Sequence, residues 1–241
     1  MNTGILIFLL CIVSAFVFRT TGFGFGIVIM TVLPSLMPSY GEATALSGLL
    51  AMSMSVFVAY RMRKFVTWSR LLPMLITFGL ISAIAIFTLR RMDDVVLRKI
   101  LGVALVLISI YFTFFSNRIH FRTTIPFQVG AGTISGLMGG FFGMQGPPAV
   151  LYFVQSEPDK EHYLAMMQHY LLLGNIMMTC VRWKNGFVTP AVGIDYICGI
   201  GGVVIGAALG SWAFSKIPNR YFRYVVYGYI AVAGIIIFVS A

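Results

Sequence analysis

"GLMGGFFGMQGPPAVLYF", Gly136 to Phe153, is the stretch whose reading decides how this chain is built. It is as apolar as its flanks, yet it holds five glycines and two adjacent prolines. Glycine lowers helix stability and proline removes a backbone donor, so an ordinary helix would use neither so freely. In hydrocarbon, irregular backbone is tolerated only where protein buries it or a polar cavity hydrates it. The stretch therefore reads as a purposeful interruption that exposes N–H and C=O groups at membrane depth, to the benefit of a small polar solute. The competing reading is that the glycines only let helices approach closely.

The surroundings set the class. Of 241 residues, 59% are hydrophobic and only 10% charged, whereas a soluble domain carries about 25% charged residues. Apolar runs recur at the length of a membrane span, about 20 residues. The chain is expected to be an all-α, polytopic membrane protein, multi-pass in the inner (plasma) membrane. Alternating strands of about 10 residues, the mark of an outer-membrane barrel, are absent. The run from Gly4 to Phe18 lacks a basic leader and a cleavage site, so it reads as the first membrane helix. The net charge of +10 suits anionic headgroups on the lipid bilayer and, secondarily, a small anionic substrate. No nucleic-acid partner is expected. Cys11, Cys180 and Cys198 lie inside apolar runs without metal-ligand spacing, so they read as packing residues. No metal and no cofactor is expected, and the oligomeric state is not legible.

The apolar segments fall into two series. Segments a to e cover 3–18, 22–38, 43–60, 66–89 and 95–115; segments a′ to e′ cover 125–140, 143–154, 162–181, 187–214 and 221–240. They divide the chain into a first transmembrane repeat, 1–115, a polar linker, 116–124, and a second repeat, 125–241. Arg61 and Arg182 mark the ends of c and c′, and Arg98 and Arg223 mark the starts of e and e′. Both b segments are interrupted. Segment b carries Gly22, Gly24, Gly26, Pro34 and Pro38; segment b′ rises only about 18 Å as a helix, too short to span. Paired interrupted segments in two repeats point to a transport site between the halves.

At these residues the chain resembles the TauE/SafE sulfite exporter family, also called the 4-toluene sulfonate uptake permease family. That family carries a GxGFG motif early in its first half and a GGxFGxGGPP motif in its second. Here "TGFGFG", Thr21 to Gly26, is similar to the first, and "GGFFGMQGPP", Gly139 to Pro148, to the second, with Gln145 where a glycine is usual. The resemblance covers nearly the whole chain. It implies four-plus-four helices with the glycine segments at the centre, and transport of sulfite, thiosulfate, sulfonates or sulfoacetate.

An anion crossing a bilayer needs donors, and backbone N–H groups at half-helix starts supply them. The candidate substrate-binding residues are Gly22, Gly24, Gly26, Gly143, Gln145 and Gly146, where Gln145 adds an amide. Arg19 stands just before the first motif, as a cationic partner or as a snorkelling interfacial arginine. Thr20 and Thr21 could add hydroxyls. In segment c′, Glu161, Gln168 and Asn175 recur every seven residues on one face. Gln168 and Asn175 are read there as substrate contacts or as interhelical glue; Glu161 and His162 belong to a charged loop. Asp195 is the most isolated charge, about two turns into segment d′, and is the candidate proton-coupling group. Glu42, opening segment c, suits a helix N-terminus.

The leading reading is a secondary transporter (permease) of small anions, sulfur oxyanions or organosulfonates such as sulfite. No GxxxxGK[ST] motif exists, so the chain hydrolyses no nucleotide itself. A divalent-cation permease would want several intramembrane carboxylates, and an intramembrane enzyme a nucleophile–base or metal set, for which His120, His162 and His169 alone offer themselves; no catalytic residues are assigned. Basic residues sit in both the c–d and the d–e loops, so orientation stays open. If the b segments do not span, each half has four spans and the repeats are parallel; if they do, each has five and the repeats are inverted. The shortness of b′ favours four.

Overall fold

The computed structural model describes residues 3–22, 24–114, 124–157 and 159–214, with positions 235 and 239 beyond them. Its elements are α1 (Thr3–Thr21), α2 (Phe25–Ile29), α3 (Leu33–Leu36), α4 (Tyr40–Met62) with a 3-10 turn at Arg63–Phe65, α5 (Trp68–Leu89), α6 (Asp94–Phe114), α7 (Ile125–Phe142), α8 (Gly146–Ser156), α9 (Lys160–Lys184) and α10 (Pro190–Phe214). Among the described residues there is no strand. Five helices among those residues are long and apolar enough to cross a membrane: α1, α4, α5, α9 and α10. Segments a, c, d and e become α1, α4, α5 and α6. Segment b breaks into the short pair α2 and α3. Segment e′, with Arg223, and nearly all of the linker, with His120, lie outside the described residues.

The helix starts follow from local chemistry. Ser39 caps α4, its Oγ accepting from the Glu42 N–H at 3.2 Å. Glu42 then accepts from Thr189 Oγ1 at 2.8 Å, which ties the start of α4 to the start of α10. Prolines open α3, α7 and α8 at their first two positions, and Pro190 is the first residue of α10. A missing N–H is harmless there, because those donors have no intrahelical acceptor. Pro147 and Pro148 thus begin α8 rather than break a helix.

Two ladders of small residues hold the bundle. On α10, Gly202, Gly206 and Gly210 lie over the carbonyls of Phe8, Ile12 and Phe16 on α1. On α7, a Cβ at Gly132, Gly136 or Gly140 would stand 2.7, 3.0 or 2.9 Å from the carbonyl oxygens of Met74, Phe78 or Ser82 on α5. Only bare Cα atoms let the backbones approach this closely, and without a hydrophobic drive between helices in lipid this packing supplies the association. Of the five glycines in the opening stretch, Gly136 and Gly140 therefore serve helix packing. Cys11 and Cys198 lie in the α1–α10 seam, whereas Cys180 is exposed.

These contacts also give directions. Residue numbers rise together along α1 and α10 and along α5 and α7, so both pairs run parallel. On α4 and α9 they run oppositely: Gly48 faces Thr179 and Arg182, while Ala51 and Ser55 share a cavity with Leu171 and Asn175. Segment b returns the chain to the end where α4 starts; there Arg98 at the start of α6 donates to the Pro34 carbonyl at 2.6 Å and Asp94 accepts from the Tyr40 N–H at 3.0 Å. Helix α8 likewise returns towards the start of α5, where Arg70 bonds the Ser156 carbonyl at 2.6 Å and Glu157 at 3.1 Å. Each interrupted segment is thus a broken return leg. The chain comes back through segments b and b′, and segments c and c′, now α4 and α9, run antiparallel; neither fits the four-span, parallel layout expected. The halves also interlock: α1 packs on α10, α7 on α5, and α4 on α9.

Candidate functional site

The two interruptions are built from glycines in the left-handed region. Gly143 ends α7 at φ 68°, its N–H bonded to the Gly139 carbonyl at 2.9 Å, and Met144 N–H reaches Met138 at 3.2 Å. Gly24 precedes α2 at φ 98° and Gly22 follows α1 at φ 81°. A side chain at such φ is strained, which is why glycine stands there. The two breaks then touch. A Cβ on Gly26 would collide with the carbonyl oxygen of Gly143.

Around that contact lies a cavity of about 30 Å³; about 10–15 Å³ suffices for one water. It is lined by Phe18, Gly24–Ile27, Ala51, Ser55, Gly143–Pro147, Leu171 and Asn175. The α4 and α9 residues in this set come from the middles of those helices. The polar lining is amide, hydroxyl and backbone, and it includes no charged side chain. Ser55 donates to the Ala51 carbonyl at 3.3 Å. Ser135 Oγ donates to the Gln145 carbonyl at 2.6 Å and accepts from the Tyr170 hydroxyl at 2.7 Å. That relay ties the break between α7 and α8 to α9.

The structure brings together Gly24, Gly26, Gly143, Gln145, Gly146 and Asn175 at the cavity wall. Gln145 acts partly as a strut, since its Nε2 donates to the Leu171 carbonyl at 3.0 Å. The N–H groups of Gly143 and Met144 are spent on the end of α7, and Pro147 and Pro148 carry none, so the donor supply at this break falls to Gln145 and Gly146. Gly22 and Gln168 do not line the cavity; Gln168 is buried with its Oε1 unpartnered. Arg19 is exposed and donates to Ser211 Oγ at 2.8 Å, on the wall of a separate, mostly apolar cavity of about 330 Å³ between α1, α4 and α10. Thr20 turns its hydroxyl back to the Val17 carbonyl at 2.9 Å. Asp195 lies half-buried on α10, away from the cavity, with Glu42 within electrostatic reach. His162 sits 3.5 Å from Asp159, and His169 Nδ1 meets the Ala165 carbonyl at 2.8 Å; no metal-binding cluster of His, Cys, Asp or Glu occurs among the described residues.

One residue read only as a loop landmark is interior. Arg182 is fully buried in the last turn of α9, and its Nη2 donates to the Gly139 carbonyl at 2.9 Å and meets the Gly140 carbonyl at 3.5 Å. It thereby adds a side-chain donor at the broken end of α7, where the Gly139 carbonyl also accepts from the Gly143 N–H. The signal was present: Gln168, Asn175 and Arg182 continue one seven-residue period.

Two interrupted, glycine-built segments that meet beside the antiparallel pair α4 and α9 are the pattern of a polytopic membrane transporter. The family model of the sulfite exporter TauE/SafE matches residues 7–237, and the chain belongs to that family. No curated protein and no solved structure matches the chain.

Proposed function

We propose that the chain is a secondary transporter of small anions in the cell's plasma membrane, with sulfur oxyanions or organosulfonates such as sulfite as the substrate class. The observation that supports this most is the meeting of Gly26 and Gly143 beside a mid-bundle cavity whose lining offers amides, hydroxyls and backbone but no carboxylate. A divalent cation is held by several oxygens, carboxylates foremost, and that lining is ill-suited to it. A hydrolytic site needs a nucleophile beside a base, and Ser55 in the cavity has only a backbone carbonyl as partner. Family membership adds the sulfur-oxyanion class. In this reading Asn175, Gln145, Gly24 and Gly146 touch the anion, and Asp195 is the candidate proton carrier outside the cavity.

The test is counterflow of radiolabelled sulfite in proteoliposomes, with thiosulfate, a sulfonate, nitrate and nickel as competitors. Saturable exchange blocked by sulfur oxyanions is the expected result. Absence of exchange, or block by nickel alone, would overturn the anion assignment.

A further inference from the structure

We propose that Arg182, with the hydroxyls of Ser47 and Thr179, forms a second oxyanion-binding station, between the central cavity and the end of the bundle where α4 starts and α9 ends. It rests on the anion-transport reading and deepens it. The ligand class is a small sulfur oxyanion, met here before or after it occupies the cavity.

The argument begins with an imbalance. A guanidinium stays protonated even when buried, so it needs partners. Arg182 is fully buried, yet no carboxylate pairs with it among the described residues. Capping α7 occupies Nη2 alone; Nε and Nη1 have no hydrogen-bond partner. A pure capping role would be filled by one donor, and leaving the rest of the fork unpaired is costly. The hydroxyls of Thr179 and Ser47 are buried and unpartnered as well. Tyr40, fully buried with an unpartnered hydroxyl, lies within electrostatic reach of the guanidinium.

Arg182, Thr179 and the cavity residue Asn175 converge on one bare Cα. A Cβ on Gly48 would stand 3.0 Å from Arg182 Nη1, 3.7 Å from Asn175 Oδ1 and 3.9 Å from Thr179 Oγ1. A Cβ on Gly143 would lie 3.6 Å from Ser47 Oγ, so the same polar ladder reaches the broken segment. Asn175 belongs to both places, since it also lines the cavity. Arg182 stands two turns beyond it, about 10 Å along α9. A guanidinium edge with hydroxyl donors matches the oxygens of an oxyanion and repels a cation. The helix face Asn175–Thr179–Arg182 then offers successive donors instead of one deep trap.

The experiment uses the full chain, in proteoliposomes for sulfite exchange and in detergent for melting with and without sulfite or thiosulfate. The variants are Ser47→Ala, Thr179→Val, Gly48→Ala and Arg182→Lys; the last keeps charge and cap but loses the fork. Each is expected to raise the half-saturating sulfite concentration about tenfold and to shrink the anion-induced rise in Tm. Ser47→Ala and Thr179→Val should keep the anion-free Tm, because the hydroxyls they remove bond nothing. Wild-type half-saturation and a wild-type anion shift in these variants would overturn the station while leaving the transport reading standing. Collapse of the anion-free Tm in both hydroxyl variants would also overturn it, since the hydroxyls would then hold the fold. A wild-type protein that neither exchanges nor is stabilised by any of the anions would bring down the functional reading itself, and the station with it.

Discussion

Gly26 and Gly143 meet backbone to backbone, so that any side chain on Gly26 would strike the carbonyl oxygen of Gly143. The contact joins the interruption of the first half to that of the second and sets the floor of the cavity. Gly26→Ala should therefore cut sulfite exchange more than about tenfold and lower Tm, since overpacking costs about 1–3 kcal/mol. Gly22→Ala is the control: it bears a left-handed φ of 81° but has nothing within 4 Å of its added Cβ. Equal loss of exchange in the two variants would show that backbone strain, not the contact, limits transport.

The small-residue ladders make a separate prediction. Gly206→Leu and Gly136→Leu should drive α10 from α1 and α7 from α5, with a loss of at least about 1–3 kcal/mol read as lowered Tm in detergent. Gly193→Leu and Gly130→Leu should leave Tm near wild type, because nothing lies within 4 Å of a Cβ at either position. A ladder variant with unchanged Tm would mean that the helices associate by other contacts.

Among the polar candidates, Asn175 lines the cavity and Arg19 does not. Asn175→Leu should raise the half-saturating anion concentration about tenfold, the worth of one hydrogen bond to a charged ligand. Arg19→Ala should stay within about twofold of wild type, as expected of an exposed group bonded to Ser211. The reverse order, measured by concentration-dependent counterflow, would move the substrate site to the cavity between α1, α4 and α10.

Gln145 stands where the resembling family pattern has glycine, and it spans from the α8 start to the Leu171 carbonyl. Gln145→Gly removes that strut and enlarges the cavity. The expected outcome is a stability loss of about 1 kcal/mol together with a changed ranking of sulfite, thiosulfate and sulfonate as competitors. An unchanged ranking would show that the amide does not select cargo.

Asp195, as the proposed proton carrier, is tested by Asp195→Asn. Exchange should lose its pH dependence while half-saturation stays at the wild-type value, because the carboxyl lies outside the cavity lining. An unaltered pH profile would return Asp195, and the neighbouring Glu42 in the first turn of α4, to a structural role.

Several features were legible without coordinates. The interruption at Gly143 and its counterpart at Gly24 follow from glycine and proline in an apolar run, since local backbone energetics act within a few residues. The shared face of Gln168 and Asn175 follows from helical period alone. The double duty of the opening glycines was not legible. Gly136 and Gly140 pack against α5 and Gly143 turns the chain, yet all three look alike in sequence, and the spacing of Gly202, Gly206 and Gly210 was the overlooked sign of the same packing on α10.

The sequence by itself determined what each segment can be: a membrane helix, a broken leg, a polar face. These are properties of neighbouring residues and of backbone hydrogen bonding in hydrocarbon. Only the tertiary structure decided which segments meet and in which direction. It made α4 and α9 antiparallel, set Gly26 against Gly143, and carried Arg182 from the edge of a loop into the interior. Such choices depend on contacts between residues more than a hundred positions apart. A linear pattern carries no record of the partner that leaves room for one side chain and excludes another.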